Sequence, residues 1–184
     1  HQGDHDGIKG VYHINAVDCV TQWQVVATVQ TISEAHLLPV IEQMLAQFPF
    51  EILGFHADNG SEFLNWALYE HLTGRPLKVV FTRSRAYRKN DNAHCEQKNW
   101  THVRQLFGHD RFGHAELVPL MNDLYAGEWS QFTNHFKPTF KLLKREKKNG
   151  RTKRIYEDKR QTPYQRLLES AEIPISHGGV IGQV

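Results

Sequence analysis

Two runs rich in β-forming residues, Val11 to Val17 and Gln22 to Gln30, stand four residues apart, and an apolar stripe at helical spacing follows them at once. That order constrains the fold more than any other feature. Asp18, Cys19, Val20 and Thr21 are too short a connection for a parallel crossover, so the two runs predict an antiparallel hairpin. Ile32, Ala35, Leu38, Ile41, Met44, Leu45 and Phe48 then recur as one face of an amphipathic helix. Ser33 is its expected cap, and Pro39 marks either a late start or a kink.

Glu51 to Ala57 reads as a short buried strand that runs into Asp58-Asn59-Gly60-Ser61. Gly60 permits a tight turn there, and Ser61 can cap a helix through Leu72. Lys78 to Thr82 is the next strand, followed by a basic loop, Arg83 to Lys89. Asn90-Asp91-Asn92 offers caps for a helix from about Ala93 to Phe107, and a further stripe from Leu117 to Phe136 ends before Pro138. Residues 1 to 10 are rich in Gly and Asp, which is turn chemistry and excludes a core strand. The chain closes with a short helix near Pro163 to Ala171 and a Gly-rich end. The predicted class is mixed α/β with an antiparallel start.

A chain of 184 residues with 40% apolar content can bury one good core and a small appendage. The division falls at 136, because residues 137–160 hold eleven Lys or Arg against three acids, a local charge of +8. With +2 for the whole chain, the rest carries −6. A basic tail beside an acidic body suggests a polyanion for the tail and a cation for the body, with a merely solvated charge run as the plainer reading. Cys19 and Cys95 stand far apart, so neither a disulfide framework nor a cysteine-based zinc site is indicated, and a reducing cytoplasm fits. The twelve histidines lack companion ligands in sequence and read as surface or hydrogen-bonding residues. No apolar run spans a membrane, and no signal peptide opens the chain. The chain also lacks an initiator Met, which suggests a fragment of a longer protein.

Two clusters carry chemistry. Asp58 follows a strand directly, beside a backbone-permissive turn, and ligand sites in open α/β sheets lie at such strand ends. Alone, Asp-Asn-Gly is an ordinary turn former. The second cluster is the loop carrying Arg83, Arg85, Arg88 and Lys89, which leads into a capped helix with Glu96 near its start. Phosphoryl transfer on nucleic acid uses carboxylates from separate elements to hold two divalent cations roughly 4 Å apart. Oxygen ligands suit Mg²⁺. Taken alone, the cluster reads first as a solvated helix start in which Glu96 favours the helix dipole.

Together the clusters resemble the DDE-type integrase catalytic core shared by retroviral integrases and bacterial insertion-sequence transposases. Asp58 stands in Asp58-Asn59-Gly60-Ser61-Glu62-Phe63, Glu96 follows Asn92, and the acids lie 38 positions apart. Gly10 to Asp18, Thr21-Gln22-Trp23, Arg83-Ser84-Arg85, Lys89 to Asn92 and Gln161-Thr162-Pro163-Tyr164-Gln165-Arg166-Leu167 match the insertion-sequence branch. The resemblance implies a ribonuclease H-like mixed sheet flanked by helices over residues 1–136, and a basic C-terminal extension over 137–184. It also implies Mg²⁺ or Mn²⁺ held by Asp58 and Glu96 with a third acid, cleavage at element ends, and strand transfer into target DNA by a homo-oligomer.

The departure is at the front. The family carries its first acid on a central first strand ahead of the hairpin. Residues 1–10 hold no such strand; Asp4 and Asp6 lie in the following turn, and Asp18 falls where the family has a non-catalytic Asp. That strand is therefore expected upstream of His1, and this chain alone is expected to be inactive. Arg83, Arg85, Arg88 and Lys89 are expected phosphate contacts, as are Lys144, Arg145, Lys147 and Lys148 in the basic segment. The rival readings are a hydrolytic nuclease of the same superfamily and a non-catalytic DNA-binding remnant.

Overall fold

In the computed structural model, residues 4–5, 8–57, 66–74, 79–83, 100–108, 110, 112–148 and 151–170 are described. A two-residue ladder comes first, with β1 (Asp4–His5) antiparallel to β2 (Ile8–Lys9). The expected hairpin follows as β3 (Tyr12–Val17) and β4 (Gln24–Val29), in register from Tyr12 opposite Val29 to Val17 opposite Gln24.

The loop between them explains why β4 starts two residues later than the β-forming run. Asp18 Oδ2 accepts from the backbone N–H of Val20 (3.1 Å) and Thr21 (2.6 Å) and from Thr21 Oγ1 (2.7 Å). Thr21 Oγ1 in turn accepts from Trp23 N at 3.0 Å, and Gln22 takes φ 65°, a left-handed value that no strand residue adopts.

All six residues of β4 are buried, so both faces of this strand are covered. Val25, Ala27 and Val29 enter the main apolar cluster with Leu37, Ile41, Met44 and Leu45 of α1 (Glu34–Leu45). Pro39 sits inside α1, which runs straight through it. The carbonyl that loses its bond there is that of Ala35; Ala35 and Pro39 are both exposed, so water can satisfy it. Ser33 is the N-cap, although its Oγ pairs with His36 Nδ1 at 2.7 Å rather than with a backbone N–H.

β5 (Gly54–Ala57) and β6 (Val80–Arg83) form a separate parallel pair, with α2 (Trp66–Thr73) between them in sequence. Leu68, Leu72 and Val79 join the same core cluster as the hairpin, and Phe55 stacks on Phe81 with centroids 5.9 Å apart. The parallel pair and the hairpin therefore share one core.

Trp100–Arg104 is a π turn that continues into α3 (Gln105–Phe107). The long stripe that sequence periodicity reads as one helix is α4 (Leu117–Leu124) followed by two π turns, Tyr125–Trp129 and Phe132–Phe136, with a non-helical kink at Gly127. It covers the side of β4 away from α1: Asn122 and Asn134 bond the main chain of Thr28 and Gln24.

The segment 137–160 holds an antiparallel ribbon that its charge pattern does not announce. β7 (Leu142–Lys148) pairs with β8 (Arg151–Tyr156), with an irregularity between Leu142 and Lys144. Last comes α5 (Pro163–Glu169), opened by a capping box in which Thr162 Oγ1 accepts from Gln165 N and Gln165 Oε1 accepts from Thr162 N. The result is a mixed α/β molecule of small two-stranded sheets and helices.

Candidate functional site

β5 and β6 are the strands that precede the two sequence clusters in the chain, and they pair in parallel. Gly54 lies opposite Val80, Phe55 opposite Phe81, His56 opposite Thr82 and Ala57 opposite Arg83. The strands are parallel, so their last residues, Ala57 and Arg83, lie at the same end of the pair. Near that end the pair is pinned by His56 Nδ1 against Thr82 Oγ1 at 2.9 Å, by buried Ala57 and by the Phe55–Phe81 stack. Asp58, Arg85, Arg88, Lys89 and Glu96 lie outside the described residues.

The helical segment described from Trp100, four positions beyond Glu96 in sequence, is tied to the hairpin through a buried polar cluster. Tyr125 Oη lies 3.1 Å from His13 Nδ1 and donates to His102 O at 3.4 Å. Thr28 Oγ1 also lies 3.1 Å from His13 Nδ1, and Trp129 Nε1 donates to His102 Nδ1 at 3.0 Å. His13 stacks on Phe107 and meets Tyr125 edge-on. Burial lowers the His13 pKa to about 4 and pushes the Tyr125 phenol well above its ordinary value, so both are neutral near pH 7. His13 Nε2 is buried with no hydrogen-bond partner, which adds to the cost of charging the ring.

Asp18 is spent on its own loop, because one carboxylate oxygen already accepts three hydrogen bonds. Among the described residues no three His, Cys, Asp or Glu side chains come together as a metal site would require. The carboxylates expected to hold a cation, Asp58 and Glu96, are not among those residues. Among the described residues, too, no helix is long and apolar enough to cross a membrane.

The second expected contact set, Lys144, Arg145, Lys147 and Lys148, lies along β7. Arg166, buried at 6% exposure, anchors the base of this ribbon: its Nε and Nη2 each lie 3.0 Å from Glu157 Oε2, and Nη2 donates to Thr139 O at 2.5 Å. Lys141 Nζ donates to Val20 O at 2.6 Å, which joins the ribbon base to the β3–β4 loop. Charge composition alone does not reveal this strand pair. Asn149-Gly150, a strong signal for a tight hairpin, sits in sequence between its two arms and was the available clue. Asn122, Asn134 and Arg166 also escape a reading by hydrophobic period, which passes over polar residues within a stripe.

No family model matches the chain. Over 156 residues, 85% of its length, it is 33% identical to a Sinorhizobium fredii protein described as uncharacterized protein y4rM. The match spans 44% of that protein, so the chain is similar to less than half of its curated relative.

Proposed function

We propose that this chain is part of the catalytic core of a DDE-type transposase or integrase with a ribonuclease H-like fold, acting on DNA by metal-dependent phosphoryl transfer as a homo-oligomer. The observation that carries the reading is the parallel register of β5 and β6. It sets Ala57, the residue before the Asp58 motif in sequence, beside Arg83, the first residue of the basic segment that leads to Glu96. Carboxylates used together in phosphoryl transfer must converge from separate elements, and strand ends of an α/β sheet are where such groups meet.

In this reading Asp58 and Glu96 hold Mg²⁺ or Mn²⁺, which when bound stabilises the attacking and leaving oxygens of the displacement. Arg83, Arg85, Arg88 and Lys89 hold the neighbouring phosphates of the DNA strand, and the basic segment supplies further, sequence-independent attraction. The antiparallel β3–β4 pair, backed by α1, is the part of the expected sheet that the described residues support directly.

The test is strand joining by the complete protein with a pre-cut DNA end in Mg²⁺, beside the variants Asp58→Asn and Glu96→Gln. Joined product from the parent and none from either variant, with DNA binding retained, is the expected result. Hydrolysis without joining would favour a nuclease of the same superfamily. Near-normal joining by either variant would remove that residue from the set.

A further inference from the structure

Phe132, Phe136 and Phe140 recur at intervals of four residues, and all three rings face solvent, Phe136 at 72% exposure. The first two lie on the last π turn, and the third follows the point at Lys137 where the chain leaves the helix. Apolar residues four apart on a helix ordinarily mark the face packed on the core. Here the pattern is inverted. The buried residues of this turn are Thr133 and Asn134, and Asn134 is spent on the main chain of Gln24, so the polar side chains point in and the rings point out.

Each end of this aromatic strip holds a cation against a ring. Lys137 Nζ lies 5.8 Å from the centroid of Trp129 and 6.0 Å from that of Phe132, two rings that are themselves 5.8 Å apart. The Arg160 guanidinium lies 4.9 Å from the centroid of Phe140, whose other neighbour is the exposed ring of Tyr156 at 6.5 Å. Between Ser130 and Arg145 the sequence has four Lys or Arg and no Asp or Glu. Of the two acids just before Lys159 and Arg160, Glu157 is engaged by Arg166 and Asp158 is exposed. Lys137 and Phe140 are three residues apart, which limits their Cα separation to about 11 Å. That is the length of roughly three stacked nucleotides at about 3.4 Å each.

We propose that the exposed strip of Phe132, Phe136 and Phe140, with Lys137 and Arg160, is a stacking platform for unpaired bases of single-stranded DNA. The choice of DNA rests on the phosphoryl-transfer reading above, and the platform goes further by giving unpaired bases a site away from the proposed carboxylates. Every base presents a π face, so exposed rings hold a strand whatever its sequence, while the cations between them meet its phosphates. The strip suits a protein partner less well, because Lys is depleted at the centre of protein interfaces and Lys137 stands between the rings. Duplex DNA keeps its base faces covered by one another and offers these rings nothing to stack on except at an end. Cleavage creates such ends.

The experiment measures binding of the complete protein to an oligothymidylate of about 12 nucleotides, within the span of one single-strand module. An abasic strand with the same number of phosphates, the matching duplex and an oligouridylate are the controls, all without Mg²⁺ so that no strand is cut. The parent is expected to bind oligothymidylate at least about fivefold more tightly than the abasic strand. Phe136→Ala and Phe136→Leu should each lose at least about fivefold in oligothymidylate affinity, and Phe136→Trp should keep it. Leucine retains an apolar side chain, so its loss separates ring stacking from simple hydrophobic contact. Lys137→Gln should flatten the slope of log affinity against log salt by about 0.7. Equal affinity for the oligothymidylate and the abasic strand, or Phe136 variants within about twofold of the parent, would overturn the platform. A loss for the duplex as large as that for the single strand, or a larger loss for oligouridylate, would overturn the choice of partner. A parent dimer that falls apart in Phe136→Ala would make a second copy the occupant instead. If base-dependent binding is found while the parent joins no DNA ends, the phosphoryl-transfer reading fails and the platform stands; end joining without base-dependent binding gives the reverse.

Discussion

Asn134 closes a ring of two hydrogen bonds with the main chain of Gln24: its Oδ1 accepts from Gln24 N and its Nδ2 donates to Gln24 O, both at 2.9 Å. Asn122 does the same at Thr28, with 2.6 Å from Thr28 N and 3.0 Å to Thr28 O. A side-chain amide carries the donor and acceptor of a peptide, so each asparagine stands in for one residue of a further strand beside β4.

Replacing Asn134 with Leu keeps the branching of the side chain and strands a buried N–H and C=O on β4. The expected cost is roughly 2–4 kcal/mol, one to two per orphaned group. Asn134→Asp should cost a similar amount, because a carboxylate cannot donate to Gln24 O. Chemical denaturation of the complete protein checks both; a loss under about 0.5 kcal/mol in each would show that water replaces the amide.

A second prediction concerns acid. His13 is buried neutral, with its pKa lowered from 6.5 to about 4. The unfolded chain therefore binds a proton that the folded chain refuses between those values. Stability from this group is complete above about pH 6.5 and falls as pH drops toward 4, by about 3 kcal/mol in all. In His13→Gln that part of the pH dependence should vanish. Identical stability curves for parent and variant between pH 7 and 4 would mean that the ring charges in place.

Arg166 and Glu157 form a third case. Removing one member of a buried pair leaves an uncompensated charge, so Glu157→Gln should cost about 3 kcal/mol, somewhat less if water reaches the half-buried carboxylate. The double change Arg166→Met with Glu157→Leu should recover most of the loss. If the single change costs nothing, the guanidinium is held by Thr139 O alone.

The last prediction separates Asp18 from the expected catalytic acids. Asp18→Asn keeps an oxygen for the N–H groups of Val20 and Thr21, so strand joining should stay within about threefold of the parent, with a stability loss of about 1 kcal/mol. Asp18→Ala should lower the melting temperature further without lowering the rate at a permissive temperature. A rate collapse in Asp18→Asn at full stability would make Asp18 a reacting-site group.

Local chemistry made much of this fold legible. A four-residue break between β-forming runs could only be a hairpin, and Thr162-Pro163 with Gln165 is a helix start written in sequence. Pro39 was ambiguous because its cost depends on which side of the helix faces water, which sequence does not state. The ribbon was hidden by its own charge: with no alternation of apolar and polar residues, a period-two pattern has nothing to register. For the proposed site, the acid and basic motifs were plain, while the parallel pairing of the strands that precede them, β5 and β6, was not, because it joins residues 26 positions apart. The cluster around His13 and Tyr125 was invisible for the same reason, since its members come from three distant segments.

The π turns after Leu124 set a mechanical phase. Asn122 and Asn134 are twelve residues apart, and in an unbroken α-helix such residues point about 120° away from each other and stand about 18 Å apart along the axis. Their targets, Gln24 and Thr28, share one side of a strand and are only about 13–14 Å apart. A turn closed from i to i+5 takes more residues to come round and so rises less with each. Two such turns, together with the kink at Gly127, bring both asparagines round to face β4. A one-residue insertion or deletion between Trp129 and Phe132 would throw this gearing out of mesh, even if every residue stayed helical.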